Sequence, residues 1–224
     1  MDTPVHRRKN LAMTHLEEAL DLPLRHVLPM MQDRIMSRTN YFGISTLKSP
    51  IDFWVYQEIL YETRPDFIIE IGNHCGGSTL ALAHVCDHLR HGRVIGLDLS
   101  HANVSQMVRE HPRISLIEGD ACESFSRITE QVPLQASVLV IEDSSHTFEN
   151  TLRVLMVFSP LVKPGGYFIV EDGICHHGLD GGPYPGPYEA IEYFIRSNSD
   201  FVIDRSREGF LITWNPMGYL KRVR

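Results

Sequence analysis

The stretch that decides the fold is residues 67–78, FIIEIGNHCGGS. Its first part, residues 67–71, is a short run that is apolar on both sides, as expected for a buried strand of a parallel sheet. The glycines that follow let the chain turn sharply and bring backbone N–H groups close to a ligand at the start of the next helix. This stretch therefore predicts the first strand, turn and helix of a nucleotide-binding α/β domain.

The same alternation continues along the chain. Further apolar strand candidates lie at 94–97, 114–117, 137–141 and 167–170. Helical stretches lie around 78–90, 102–110, 121–131 and 148–159. Strands and helices that alternate in this way predict a single-domain, doubly wound α/β sheet of the Rossmann-like type.

The C-terminal end breaks this alternation. Residues 201–204 and 209–214 are two strand candidates, and the segment between them is too short for a crossover helix. They predict a C-terminal antiparallel hairpin. A parallel sheet that ends in an antiparallel hairpin is typical of class I methyltransferases, and an ordinary dinucleotide-binding domain lacks it.

Residues 1–45 are predicted to form an N-terminal helical extension. Leucines and a valine between residues 16 and 27 recur at roughly helical spacing, so we expect one or two helices packed outside the sheet. Another helix is predicted over 51–61, directly after Pro50. The methyltransferase domain is then expected to span residues 46–224.

Composition and charge argue against several function classes. The chain has 224 residues, of which 43% are hydrophobic, as in an ordinary globular domain. Its net charge of −7 argues against nucleic acid as a partner. No apolar run approaches the ~18 residues that span a bilayer, and no signal-peptide core is visible, so we expect no membrane partner. The four cysteines form no C-x-x-C pair, which favours a reduced, cytoplasmic protein.

The glycine-rich turn predicts the cofactor. Its spacing is G-x-x-x-G, which departs from the G-x-G-x-x-G fingerprint of NAD enzymes. An acidic residue just before the first glycine is instead the pattern of S-adenosylmethionine sites, in which it lies near the methionine portion. The residues expected to bind this cofactor here are Glu70, Gly72, Asn73, Gly76, Gly77 and Ser78. The alternative is a glycine-rich turn without a ligand.

Acids at the ends of the next two strands extend this predicted site. Asp98, with Leu99 after it, lies about twenty residues beyond the glycines, where a carboxylate can reach ribose hydroxyls. Asp120, with Ala121 after it, ends the third strand and is expected near the adenine. Each aspartate has an alternative role as a helix N-cap.

Carboxylates also end the fourth and fifth strands. Asp143 follows the fourth strand, and Glu171 and Asp172 follow the fifth, so the three carboxylates are expected to converge beside the cofactor. Asp143 is also expected to contact the cofactor itself. Crowded carboxylates repel one another, and a hard cation relieves that repulsion. Oxygen-only ligands predict Mg²⁺, or Mn²⁺ in its place. The alternative is that Glu171 or Asp172 caps a helix or forms a salt bridge.

The chain must leave the fifth strand at this point, because consecutive strand residues face opposite sides and Glu171 and Asp172 must reach one ion. Gly173 makes that bend plausible. His146, three residues after Asp143, is the candidate catalytic base, since a histidine titrates near neutrality. Its alternative role is a surface histidine at a helix terminus.

Residues 178–187 are rich in glycine and proline and predict an irregular loop over the substrate. Tyr184 and Tyr188 would supply an aromatic wall there, or pack on the helix that follows. The preceding segment, Cys175-His176-His177, raises a zinc interpretation. No matching Cys or His pair stands at ligand spacing elsewhere in the sequence, so we disfavour structural zinc.

From about residue 41 to the C-terminus, the sequence resembles the cephalosporin hydroxylase-like family of methyltransferases. The segments that carry the resemblance are PIDFW at 50–54, YQE at 56–58, EIG at 70–72, GGS at 76–78, Asp143 with His146, VED at 170–172, GPYEA at 186–190, DRSR at 204–207 and NPMGYL at 215–220.

The resemblance implies binding of S-adenosylmethionine and a magnesium site built from Asp143, Glu171 and Asp172, with His146 as the base. It further implies a small hydroxylated acceptor, such as a sugar or a natural-product scaffold, and a homo-oligomer. Two alternatives stay open: a cofactor-binding component of a hydroxylation or methoxylation system, and a non-catalytic cofactor-binding module. The intact carboxylate triad argues against the second, and the glycine spacing disfavours a nicotinamide oxidoreductase.

Overall fold

The structure is a computed structural model that describes residues 15–224. The α-helices in this part of the chain are α1 (Leu24–Arg38), α2 (Pro50–Thr63), α3 (Gly77–Leu89), α4 (Gln106–Arg109), α5 (Phe125–Thr129), α6 (Phe148–Phe158) and α7 (Pro187–Ser197). Short 3-10 turns occupy Leu16–Glu18, Ser159–Leu161 and Arg205–Glu208. None of the helices between residues 15 and 224 is both long and apolar enough to cross a membrane.

The strands form a small hairpin and one large sheet. They are β1 (Asn40–Tyr41), β2 (Ile44–Ser45), β3 (Phe67–Ile71), β4 (Arg93–Asp98), β5 (Ile114–Glu118), β6 (Val138–Glu142), β7 (Tyr167–Val170), β8 (Phe201–Ile203) and β9 (Tyr219–Arg222). The large sheet has the order β5-β4-β3-β6-β7-β9-β8. Strands β3 to β7 pair in parallel, whereas β9 is antiparallel to both β7 and β8. The predicted doubly wound α/β sheet with an antiparallel C-terminal end is confirmed.

The second strand of the C-terminal hairpin lies later in the chain than predicted. The strand predicted over 209–214 is wrong, because the partner of β8 is β9. Tyr219 and Leu220 are fully buried, so this later segment supplies the two apolar faces that a strand enclosed between two others needs. Residues 209–218 form an irregular connection, in which the buried Thr213 and Trp214 bond to the Asp52 side chain of α2 rather than to a neighbouring strand.

Apolar side chains on the two faces of the central strands form two separate clusters. On one face, Ile69 and Val140 pack with residues of α6 and α7. On the other face, Ile68 and Ile141 pack with residues of α2 and α3. Burial on both faces holds the carboxyl ends of β3, β6 and β7 at one edge of the sheet, where parallel strands present their ligand-binding residues.

The N-terminal helix is present, but its buried face differs from the prediction. Leu16 and Leu20 are exposed and lie before α1, which begins after Pro23. The residues that α1 buries are Leu28 and Ile35, which pack against Ile174 and Trp214. The face was mispredicted because the contacts that select it come from the far end of the chain. The proposed division at residues 45 and 46 stays a prediction.

The segment between β2 and α2 lies against the start of α3. At Gly77 a Cβ atom would fall 1.8 Å from Thr46 Oγ1 and 3.0 Å from the Ser45 carbonyl oxygen. Just beyond, Ser49 caps α2 by accepting a hydrogen bond from the Asp52 N–H, and Pro50 occupies the first helical position. Only glycine at residue 77 therefore allows residues 45–46 and the start of α3 to approach each other this closely.

We expect Gly77→Ala to lower the free energy of unfolding by about 1–3 kcal/mol, because the added methyl group forces these segments apart. Chemical denaturation with urea measures the change. Gly209→Ala is the matched control, because its Cβ would meet only the Ser206 carbonyl oxygen, at an ordinary 3.4 Å. Equal stability of the two variants would contradict this account of the contact.

Candidate active site

A cavity of about 950 Å³ opens at the carboxyl ends of the central strands. Ile71 of β3, Leu97 of β4 and Asp143 after β6 line it. Its volume lies at the upper end of the range for small-molecule sites, so it has room for more than one ligand. Carboxyl ends of parallel strands are where open α/β sheets bind ligands, and this cavity is the candidate active site.

The glycine turn brings two of these strand ends into contact. Gly72 has φ +87°, and a Cβ there would lie 2.1 Å from the carbonyl oxygen of Asp143. Only a residue without a side chain permits this conformation and this approach together. The next residue, Asn73, is buried, and its side-chain oxygen lies 3.2 Å from His101 Nε2. The turn after β3 and the end of β6 consequently form one continuous wall.

Most residues predicted to bind the cofactor line the cavity. They are Gly72, Asn73, Gly77, Ser78, Asp98, Leu99, Asp120, Ala121 and Asp143. Two predicted residues lie behind the wall instead. Glu70 is fully buried and accepts a hydrogen bond from Thr79 Oγ1 at 2.5 Å, and Gly76 packs beneath Val108.

Asp98 and Asp120 differ in their local roles. Asp98 accepts a hydrogen bond from the backbone N–H of His74 at 2.8 Å, and so ties the end of β4 to the glycine turn. Helix α4 begins beyond it with Ser105 as the N-cap, so Asp98 does not cap that helix. Asp120 accepts from the N–H of Glu123 in the turn before α5 and pairs with Arg153, but the N-cap of α5 is Ser124, so Asp120 does not cap that helix.

The far end of the predicted cofactor site presents an apolar surface to the cavity. Leu99 is 75% exposed although it lines the cavity, and Ala121 lies on the same wall. An apolar surface beside the Asp98 carboxylate suits a flat heteroaromatic ring joined to a ribose. These residues therefore fit a nucleoside-containing cofactor.

A cluster of ligand-type side chains lies on the cavity wall. One ligand atom from each of Asp143, His146 and Asp172 lies within 4.8 Å of the others. His146 Nε2 is 3.3 Å from Asp172 Oδ2 and 4.0 Å from Asp143 Oδ1. Two carboxylates and an imidazole form a donor set that suits a divalent cation.

The chain leaves β7 after Val170 and bends at Asp172. Asp172 has φ +57°, and His146 has φ +56°. The left-handed region costs a non-glycine residue about 1–3 kcal/mol and persists only where the surroundings impose it. Gly173 takes part in the bend, because a Cβ there would lie 2.7 Å from the carbonyl oxygen of Pro216.

Lys48 is the site residue that the sequence analysis missed. Its side chain is buried, and its Nζ donates to Asp143 Oδ2 at 2.6 Å and to Glu171 Oε1, and lies 3.9 Å from Glu70 Oε1. Burial by itself would lower the pKa of Lys48, but the charges of Asp143, Glu171 and Glu70 outweigh burial and raise it. No local pattern marks Lys48, because its partners come from distant strands.

Glu171 is thus held by Lys48 and stands outside the cluster formed by Asp143, His146 and Asp172. Burial raises the pKa of Asp143 well above its usual value, and the negative charge of Glu171 adds to this, whereas Lys48 opposes it. Burial likewise raises the pKa of Glu171. One lysine does not fully compensate these acids, so a further cation in the cluster would relieve their repulsion.

A second buried acid supports the cavity wall from behind. Glu142 accepts hydrogen bonds from Ser144 Oγ at 2.6 Å and from Asn150 Nδ2 at 3.2 Å. Burial raises the pKa of Glu142 to about 7. Ser144 and Asn150 line the cavity, whereas Glu142 does not.

The other side of the cavity is made by α1 and the loop after β7. Arg25, Pro29, Gln32 and Met36 lie on one face of α1 and line the cavity. Residues 178–183 lie on the same side. The N-terminal extension is therefore part of the candidate site and not only an external addition to the sheet.

Neither Tyr184 in the loop nor Tyr188 in α7 lines the cavity. Tyr184 is exposed beside His176, and Tyr188 stacks on His177 with ring centroids 3.7 Å apart. His177 Nε2 lies 2.6 Å from Glu189 Oε1, so this histidine is used in a local hydrogen bond. Cys175 lies outside the Asp143–His146–Asp172 group of metal-ligating side chains.

Comparison with known proteins connects this geometry to one family. The family model described as Rhamnosyl O-methyltransferase/CmcI matches residues 33–223. A rhamnosyl O-methyltransferase of Mycobacterium tuberculosis is 34% identical over 197 residues, which cover 84% of this chain and 80% of that protein. A rhamnosyl O-methyltransferase of Mycobacterium leprae is 34% identical over 201 residues, which cover 84% of this chain and 85% of that protein.

A solved structure of CmcI with Mg and SAM has a similar fold. Its TM-score is 0.68 at 24% sequence identity, with 84% of this chain and 78% of that chain covered. An O-methyltransferase from Bacillus cereus in complex with SAH has a TM-score of 0.55 at 18% identity, with 92% of this chain and 94% of that chain covered.

We expect Lys48→Met to lower the free energy of unfolding by about 3–5 kcal/mol, because it leaves buried carboxylates without their cation. Thermal and urea unfolding measure the loss. Lys163→Met is the matched control, because Lys163 bonds only to the Gln135 carbonyl oxygen from a half-buried position. A loss for Lys48→Met no larger than that of the control would contradict the role given to this ammonium.

Proposed function

The chain belongs to the Rhamnosyl O-methyltransferase/CmcI family and is an O-methyltransferase, and we propose that its cavity binds S-adenosylmethionine, Mg²⁺ and a small hydroxylated acceptor side by side. Membership of this family confirms the resemblance and the methyltransferase activity predicted from the sequence. The observation that carries the proposal is the Asp143–His146–Asp172 cluster on the wall of the cavity that the glycine turn also lines.

S-adenosylmethionine is proposed to lie along the ends of β3, β4 and β5. The backbone of Gly72 and Asn73, with Gly77 and Ser78 at the start of α3, would receive its methionine portion. Asp98 would bind the ribose hydroxyls. The surface formed by Leu99, Asp120 and Ala121 would cover the adenine. The named CmcI structure, which contains SAM, supports this choice of cofactor.

Mg²⁺ is proposed to be held by Asp143 and Asp172, with Glu171 as the third ligand expected from the sequence and His146 beside it. Carboxylate oxygens are the ligands that Mg²⁺ prefers. Glu171 reaches such an ion only if Lys48 gives up that carboxylate oxygen, whereas Asp143 already turns Oδ1 toward His146 and Oδ2 toward Lys48. Mn²⁺ would fit the same donor set.

The proposed reaction moves one methyl group and one proton. The acceptor oxygen forms a bond to the methyl carbon while the carbon–sulfur bond breaks, which leaves S-adenosylhomocysteine. A bound Mg²⁺ supplies charge that orients the acceptor hydroxyl and lowers its pKa. His146 Nε2, on the cavity wall and 3.3 Å from Asp172, accepts the hydroxyl proton.

The acceptor is proposed to lie between α1 and residues 178–183, on the cavity side that the predicted cofactor residues do not line. Pro29, Met36 and Leu179 give this side apolar surface, and Arg25 and Gln32 give it polar groups. Such a mixture suits a glycosylated or polyhydroxylated natural-product scaffold. The mycobacterial relatives named as rhamnosyl O-methyltransferases support a sugar hydroxyl as the acceptor.

A homo-oligomer, a cytoplasmic location and the absence of nucleic-acid partners stay predictions from the sequence. Light scattering of the purified protein tests the first. A nucleic-acid gel-shift titration at low salt tests the last, and cell fractionation tests the location.

Asp143→Asn is expected to abolish magnesium binding and to lower methyl transfer at least 100-fold, while S-adenosylmethionine still binds. Isothermal titration of chelator-treated protein with each ligand, and transfer assays on rhamnosides and other polyhydroxylated acceptors, measure these effects. Asp33→Asn, which changes an exposed carboxylate of α1 outside the cavity wall, is the control. Unchanged magnesium binding and transfer in Asp143→Asn would exclude the metal role, and failure of the wild type to bind S-adenosylmethionine would exclude the proposed function.

His146→Gln separates the roles of base and metal ligand. As the base, His146 contributes to proton transfer, so kcat should fall about 100- to 10,000-fold while the magnesium dissociation constant stays within a few-fold. Steady-state kinetics and titration on the same preparation provide both values. A large loss of magnesium affinity would instead make His146 a ligand and overturn its assignment as the base.

A further inference from the structure

The conformation of Asp172 is imposed by a buried residue from the C-terminal tail. Asp172 adopts φ +57°, in the left-handed region that few residues other than glycine adopt, although aspartate is among those that adopt it most often. Its backbone N–H donates to Asn215 Oδ1 at 3.2 Å. This bond joins two residues that are 43 positions apart in the sequence. It lies at the bend that turns the Asp172 side chain toward Asp143 and His146.

Asn215 is itself held rigidly. Its side chain is fully buried, and its Nδ2 donates to the Tyr56 hydroxyl of α2 at 2.8 Å. Its backbone N–H donates to Thr213 Oγ1 at 2.9 Å. The amide therefore has one defined orientation, with its oxygen toward Asp172 and its nitrogen toward Tyr56.

Asp52 anchors the tail segment that carries Asn215. This buried carboxylate accepts hydrogen bonds from the Trp214 N–H at 2.9 Å, from the Tyr219 hydroxyl at 2.8 Å and from Thr213 Oγ1. A buried carboxylate is tolerated where such donors surround it. Helix α2 thus holds the tail through Asp52 on both sides of Asn215 and through Tyr56 at the Asn215 side chain.

The tail also lies directly against the bend at the backbone level. At Gly218 a Cβ would fall 2.0 Å from the Val170 carbonyl oxygen, and at Gly173 it would fall 2.7 Å from the Pro216 carbonyl oxygen. Glycines at both positions let residues 215–218 and residues 170–173 pack closely. A displacement of Asn215 would consequently be transmitted to Asp172.

We propose that Asn215 is a positioning residue that acts through the Asp172 backbone to set the metal affinity of the cluster, an inference that rests on the proposed function for what the cluster binds. Asn215 lies outside the cavity wall and touches neither proposed ligand. Partners that orient metal ligands commonly change metal affinity 10- to 100-fold when they are removed. Asn215 would orient the ligand Asp172 in this way by bonding to its backbone N–H rather than to its side chain.

The test compares magnesium binding and thermal stability in Asn215→Ala, in the full chain saturated with S-adenosylmethionine. We expect the magnesium dissociation constant to rise at least 10-fold, with the dissociation constant for S-adenosylmethionine changed less than 3-fold. Asn198→Ala is the matched control, because Asn198 also accepts from a backbone N–H, that of Asp200 at 2.9 Å, far from the cavity. It should lower thermal stability without changing magnesium affinity.

Tyr56→Phe is a second and milder variant in case Asn215→Ala does not fold. It removes the acceptor of the Asn215 amide. Because the Tyr56 hydroxyl also bonds to Glu171, the exchange rate of the Asp172 amide, rather than the size of the fall in magnesium affinity, is the readout that isolates Asn215 in this variant. In metal-free protein, we expect the Asp172 amide to exchange its hydrogen faster in both variants than in the wild type. In Asn198→Ala this amide should exchange at the wild-type rate.

The failures of the two proposals are distinguishable. If the wild type binds magnesium, and Tyr56→Phe and folded Asn215→Ala bind it equally well with only a lower melting temperature, the positioning role is overturned and the proposed function stands. If the wild type binds no magnesium, the proposed function fails and this inference fails with it.

Discussion

The ammonium group of Lys48 compensates charge where three strands of the sheet end. It bonds to Asp143 after β6 and to Glu171 after β7, and it lies 3.9 Å from Glu70 of β3. Burying carboxylates costs several kcal/mol for each ion unless an opposite charge is close, so these strand ends could not meet without such a cation. The arrangement also divides the oxygens of Asp143, with Oδ2 toward Lys48 and Oδ1 toward His146. The side of the cluster that faces the cavity is left for another ligand.

The site is built from two parts with different structural origins. The proposed cofactor part uses strand, turn and helix segments that are continuous in sequence, and Gly72 brings it against the end of β6. The proposed acceptor part is assembled from α1, residues 178–183 and the tail. Trp214 connects the tail to two helices, because its Nε1 donates to Gln32 of α1 and its backbone N–H donates to Asp52 of α2.

This division has a consequence for the evolution of acceptor choice. The residues proposed to hold the cofactor and the metal lie at the strand ends and in the turns that follow them, whereas the proposed acceptor side is formed by α1 and the loop after β7, and loops of this kind vary more readily than the sheet that supports them. A family that shares one transfer reaction can then serve different acceptors.

The sequence by itself determined the parallel sheet, the glycine turn and the acids at the strand ends. Strands β3 and β7 have the bounds read from their apolar runs, because a strand buried on both faces is marked by its own residues. Only the tertiary structure decided that β9 replaces the strand predicted over 209–214 and that α1 buries Leu28 and Ile35. It also decided that Lys48 bonds to the acids at the strand ends and that Asn215 bonds to the Asp172 backbone. Lys48 meets Asp143 across 95 residues, and Asn215 meets Asp172 across 43. Burial and pairing of such distant segments depend on which surfaces the folded sheet brings together, and no local pattern carries that information.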